Sequence, residues 1–301
     1  MLSDRRRPSR VAATVALLCA GALVSACGDD DKQTASVSTE ASQTEAGQNQ
    51  ASSERSGRGK FGAPATGANR WFPLKPGTQT VKLGHLNRGD RRLTHRIVHT
   101  VTDVSKRIDG VRTVAVLDQD IDAGQVAEQA LDYLAEDKQG NVWYLGSYTE
   151  AYEGGQFVNA ADAWLAGVNG AGRGILMQAK PRKGTPPYVQ AKVPGDDPDV
   201  AQVAKTGQKN CVPFKCYRNV LVIQEGTDGG EYKYFAPGVG GIRTEPRYEG
   251  GEQEVEELIN FTQLSPRALS ELSAEALKLD KHARSTAQDV FGSSSPAKRT
   301  L

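Results

Sequence analysis

Between about Arg70 and Asn260 the chain is a succession of short runs in which apolar and polar residues alternate, each closed by Gly, Asn or Asp. A period of two sends successive side chains to opposite faces of an extended backbone, so each run reads as a strand with one face to cover. The closures read as hairpin turns. Asn87-Arg88-Gly89-Asp90 separates TQTVKLGH from RRLTHRIVHTVTDV. Asp109-Gly110, the strongest two-residue turn signal, leads into VRTVAVLDQD. Gln139-Gly140-Asn141 leads into VWYLGSYTEAY, and Glu153-Gly154-Gly155 into QFVNAADAWLAG. RGILMQA, PYVQAKV, YRNVLVIQEGT, EYKYFAPGV and EVEELINFTQL follow. Roughly ten to twelve strands in chain order predict a mainly β fold, an antiparallel meander sheet that is curved or rolled into a half-barrel. Strands do not alternate with helical segments, which argues against a doubly wound parallel sheet. The β-rich domain is expected over 70–264, long enough for one core.

One helix is predicted over 265–290. Ser265 suits an N-cap and Pro266 the first helical position. Leu269, Leu272, Ala276, Leu279 and Ala283 then form one amphipathic stripe. Such a stripe needs a partner surface, and the concave face of the sheet is the expected one. Residues 291–301 read as a disordered tail.

The N-terminus speaks to location. Arg5, Arg6, Arg7 and Arg10 precede an apolar run from Val11 to Val24. An apolar run of about fourteen residues after a basic start has the proportions of a signal peptide, whereas a spanning helix needs roughly twenty. Val24-Ser25-Ala26-Cys27 resembles the lipobox of bacterial lipoproteins, in which the bond before the cysteine is cut and the thiol carries diacylglycerol. The resemblance implies a lipoprotein signal peptide over 1–26, lipidation at Cys27 with fatty-acyl chains such as palmitate, and an extracytoplasmic protein anchored to the bacterial cell membrane. Residues 27–69, rich in Ser, Thr, Gln, Ala and Gly, read as a disordered tether from the lipid. Such a tether reaches roughly 35 Å.

Of the four cysteines, Cys19 would leave with the signal peptide and Cys27 would carry lipid. Cys211 and Cys216 remain as a pair in an oxidising compartment, and a disulfide between them is expected. A metal site needs more ligands than lie nearby, and a redox pair is more typically the tighter C-x-x-C. A formal net charge of +1 gives no footprint for nucleic acid or for a strong hold on anionic lipid.

WFPLKPGT at Trp71, DQDIDAGQVAEQALDYLAEDKQGNVWYLG at Asp118, YKYFAPGVG at Tyr232 and LSPRALSELSAEALKLD at Leu264 carry a resemblance over most of the exported domain. With its W-F-P-L-x-P-G and Y-x-A-P-G-V-G motifs, the chain resembles a family of uncharacterised bacterial lipoproteins. More remotely, meander plus helix resembles lipoprotein-sorting and lipid-carrier proteins, in which a curved sheet wraps a helix around an apolar cavity. That likeness implies a pocket and no catalytic residues.

Candidate chemistry is sparse. Asp118, Asp120 and Asp122 sit at calcium-loop positions one, three and five, but Ala123 stands where an EF-hand needs Gly and Gln129 where it needs Glu. They read as the solvated acidic tip of a hairpin. His95 and His99 would share a strand face about 13 Å apart, too far for one zinc ion, and read as exposed strand residues. No nucleophile elbow, zinc-protease or phosphate-loop motif is present. Tyr232, Tyr234, Trp143 and their aromatic neighbours read mostly as core, with Trp143 and Tyr234 the candidates for lining a pocket. The expectation is a non-enzymatic, lipid-anchored protein without metal or cofactor that binds an apolar ligand such as lipid. The alternative is a structural or interaction module of the cell envelope.

Overall fold

The computed structural model describes residues 61, 69–88, 90–226, 230–247 and 253–300. The signal peptide expected over 1–26, the lipidation site Cys27 and all of the expected tether except Phe61 and Asn69 lie outside the described residues.

Thirteen strands come first: β1 Thr78–Arg88, β2 Arg91–Ile108, β3 Val111–Asp122, β4 Gln125–Glu136, β5 Val142–Glu153, β6 Gln156–Leu165, β7 Gly172–Met177, β8 Tyr188–Lys192, β9 Asp199–Cys211, β10 Cys216–Glu225, β11 Glu231–Ala236, β12 Gly240–Pro246 and β13 Gln253–Gln263. Helix α1 (Pro266–Thr286), the single turn α2 (Gln288–Phe291) and a short β14 (Lys298–Arg299) complete the chain. The meander is antiparallel throughout, and it closes. β1 pairs with β13 on one side and β2 on the other, so twelve strands form a ring, with β6 hanging on β5 and β14 on β2. The half-barrel expected from the sequence is thus a full barrel.

The turn chemistry is local and explains why the meander forms. Asp109 and Gly110 have φ of 43° and 76°, Ala123 and Gly124 have 48° and 84°, and Gly154 and Gly155 have 56° and 79°. Positive φ at both central residues is the twist that two-residue hairpins require. Gly84 serves ring closure itself. A Cβ there would lie 1.7 Å from the Val255 carbonyl oxygen on β13, so only glycine lets the first and last long strands meet.

Helix α1 begins as predicted, with Ser265 Oγ accepting from the Ala268 amide and Pro266 in the first turn. Its partner surface differs from the expectation. Ala276, Leu279 and Ala283 are buried against the outer face of the barrel, with Tyr133, Tyr148 and Phe291, while Leu269 and Leu272 are only half-buried. No helix residue lines the interior cavity. At the centre of this outer layer Asp280 accepts hydrogen bonds from Lys106 Nζ at 2.8 Å, the Tyr133 hydroxyl at 2.7 Å and the Ala297 amide at 2.9 Å.

The tail is also more ordered than expected. Phe291 is fully buried, and Lys298 and Arg299 pair with Ser105 and Val104 of β2. The Arg299 guanidinium grips the buried Asp103 carboxylate. Of the expected tether, Phe61 packs edge-on against Trp143 and bridges to Asp137. Asn69 is buried, and its Oδ1 accepts from the amides of Trp71 and Phe72. The W-F-P-L and A-P-G-V-G motifs meet here, because the Gly238 amide donates to the Arg70 carbonyl at 2.6 Å.

Candidate functional site

Interior residues alternate along each strand, and in this barrel many are charged. Lys82 on β1, His99 on β2, Asp118 and Asp120 on β3, Glu128 and Asp132 on β4, and Glu254 and Glu256 on β13 face a cavity of about 150 Å³. Glu225 on β10, Lys233 on β11 and Arg243 on β12 complete the charged lining. Phe72, Ile97, Val101, Leu176, Phe235 and Val239 supply its apolar wall. Seven carboxylates therefore meet three permanent cations. Eight strands make an interior that side chains just fill, so a ring of twelve leaves room.

Most of these charges are paired. Lys82 bonds Glu256, which also accepts from the Thr244 hydroxyl at 2.7 Å. Lys233 lies 2.9 Å from Glu225 and 3.0 Å from Glu231. His99 Nδ1 is 2.7 Å from Asp118. His95 Nδ1 bonds Asp122 at 2.6 Å, while its Nε2 lies 3.3 Å from Glu254. Burial alone would lower the His95 pKa, but Asp122 and Glu254 outweigh it and hold it up at about 10. Its imidazolium is thus a fourth interior cation.

Two carboxylates stand apart. Asp120 and Glu128 are directly opposite one another on β3 and β4, both facing inward. Among the described residues Glu128 feels only other acids, whereas His95 and Lys82 partly offset the charge of Asp120. Glu128 is only 6 % exposed, and what it does expose borders the cavity. Burial and then the charge of Glu254 push Asp120 up to about 8, and burial and then the charge of Asp120 push Glu128 well above the usual carboxylate range. Like charges opposed across a ladder are destabilising, which is why the pair holds on to protons that free carboxyls would have lost. Below it, burial and then Asp118 push Asp132 up to about 6, against hydrogen bonds from the Tyr144 and Ser147 hydroxyls.

The residues singled out from the sequence fall in different places. Cys211 and Cys216 form a disulfide across the end of the β9–β10 hairpin, where they are direct ladder partners. Trp143 does not line the cavity; its Nε1 donates to Asp137 at 2.8 Å on the outer side. Tyr234 does not line it either, since inward Lys233 and Phe235 flank it and its hydroxyl bonds Glu245. Asp118 and Asp120 are not a solvated tip but interior strand residues, and the turn is Ala123-Gly124 alone. His95, expected exposed, is 4 % exposed. Asp132, Glu254 and Glu256 are not among the residues the sequence singles out, and Glu128 figures there only within the calcium-loop pattern. The signal that could have found them is the period-two spacing of acids, Asp118-x-Asp120-x-Asp122 and Glu254-x-Glu256.

No family model matches the chain, and no curated relative matches it by sequence. Two solved structures resemble it. One is described as an exported protein with a YMCC-like fold from Bacteroides fragilis NCTC 9343, at 14 % identity and a TM-score of 0.36. The other is described as a lipoprotein from Parabacteroides distasonis ATCC 8503, at 14 % identity and a TM-score of 0.30. Each match covers 64 % of this chain and 99 % of the other.

Proposed function

We propose that this chain is an exported, lipid-anchored binding protein whose barrel takes a small organic amine with an apolar body. Export and anchoring rest on the basic start, the short apolar run and the Val24-Ser25-Ala26-Cys27 sequence. The amine rests on one observation: Glu128 is buried, aimed into the cavity, opposed by Asp120, and without a partner. A buried carboxylate is costly unless paired, and an ammonium between two carboxylates makes charge-assisted hydrogen bonds to both. Phe72, Phe235 and Val239 offer an apolar surface to the rest of the ligand. A dry cavity of roughly 150 Å³ holds a benzene-sized molecule, which sets the scale. The proposal narrows the apolar-ligand expectation, because a plain hydrocarbon chain would bury these carboxylates without a counter-charge. Binding without turnover is the proposed role.

Calorimetric titration with phenethylamine, using toluene and phenylacetate as uncharged and anionic controls, tests this reading. Saturable one-to-one binding of the amine alone is expected, weakened at least tenfold by Glu128→Gln. Equal binding of toluene and of the amine would return the protein to the apolar-ligand reading. Binding of none of the three would favour an envelope interaction module.

A further inference from the structure

We infer that His95, Glu254 and Glu256 form a site for one first-row divalent transition cation, of the zinc or manganese kind, in the wall of the barrel. One potential ligand atom from each residue lies within 4.8 Å of the others. The arrangement is built from β2 and β13, which are brought together only through β1. It stands apart from the amine reading, since it uses neither Asp120 nor Glu128.

Three observations carry it. First, Glu256 Oε2 is buried with no hydrogen-bond partner, and His95 Nε2 beside it faces Glu254 only as a long ion pair. A buried polar atom left unpaired needs an explanation, and an absent ion is one. Second, the 3.3 Å from His95 Nε2 to Glu254 Oε1 is too long for a good charge-assisted hydrogen bond. It matches the ligand-to-ligand edge of about 3.3 Å that tetrahedral bonds near 2.0–2.1 Å produce. Third, the supporting contacts of a metal site are in place. Asp122 bonds His95 Nδ1 at 2.6 Å, which turns Nε2 toward the two glutamates. A carboxylate behind a ligating imidazole is the usual support of such sites. Thr244 and Lys82 hold the Oε1 side of Glu256 and leave Oε2 free.

In the metal-free barrel the proton on Nε2 supplies the positive charge between the glutamates. When the metal–nitrogen bond forms, that proton leaves to solvent and the cation takes its place. Glu254 and Glu256 border the cavity, so a cation held there would be reachable from it. One nitrogen with two carboxylates suits zinc or manganese, whereas calcium takes six to eight oxygens and no imidazole.

The test uses the purified full chain, stripped with a chelator and titrated calorimetrically with zinc chloride. One site per chain is expected, with calcium showing none. Glu254→Gln and Glu256→Gln should each weaken binding at least tenfold, Asp122→Asn about 10–100-fold, and His282→Ala not at all. Glu256→Gln is nearly isosteric and keeps an oxygen for Thr244, so its fold should hold, as circular dichroism would verify. X-ray absorption of the one-to-one complex reads the wild-type site directly and should show one imidazole with oxygen ligands and no sulfur. No zinc uptake, unchanged affinity in both glutamine variants, or a spectrum without imidazole would each overturn the assignment.

Discussion

Removing one carboxylate from the Asp120–Glu128 pair should stabilise the barrel, and increasingly so as pH rises. Glu128 is almost fully buried, faces Asp120 and has its pKa raised, first by burial and then by that charge. An unfolded glutamate titrates near about 4.3. Above that pH, and until its raised folded pKa is reached, the native chain keeps a proton that the unfolded chain has lost. Stability then falls as pH rises, by about 1.4 kcal/mol per pH unit for one such group. Through that window the wild type should therefore lose stability with rising pH that Glu128→Gln does not lose. Asp132, at about 6, titrates in both proteins, so the difference between the two reports the Asp120–Glu128 pair. Urea denaturation followed by tryptophan fluorescence at pH 5.5, 6.5 and 7.5 measures it. The two stability curves should converge at the acid end and separate toward pH 7.5, with the variant above. Parallel curves, or a variant destabilised equally at all three values, would refute the reasoning and make Glu128 an ordinary structural acid.

Three further outcomes are expected. Asp280→Ala should cost about 3–5 kcal/mol in chemical denaturation, because it strands the buried Lys106 ammonium, while Lys106→Met with Asp280→Leu should recover most of the loss. Reducing Cys211–Cys216 should cost only about 2 kcal/mol, since the closed loop is short, and should leave the barrel folded by circular dichroism. Cys27→Ser should abolish incorporation of labelled fatty acid and move the protein out of the membrane fraction or leave it unprocessed, as fractionation would show.

The local features were legible from residues alone. Asp109-Gly110 and Gly154-Gly155 announced hairpins because positive φ at both central positions is a demand that few residues meet. Ser265-Pro266 announced α1, and the four residues between Cys211 and Cys216 announced their bond. Alternation announced strands, but it cannot say which face is inside. Acids normally face solvent and aromatics are normally buried, which places Asp118 and Asp120 outside and Trp143 and Tyr234 in a pocket, and the barrel follows neither rule. The inside of this sheet was decided by pairings between distant segments. Lys82 reaches Glu256 across 174 residues, through the β1–β13 contact that Gly84 permits. That contact turns a meander into a ring of twelve, too wide for side chains to fill, so its inner surface can hold a charged cavity and its outer surface an apolar layer under α1. The same closure brings His95 and Asp122 to Glu254 and sets Phe72 beside Phe235. A strand carries its two faces in its own residues; which of them becomes the interior is a property of the ring, and no single strand contains it.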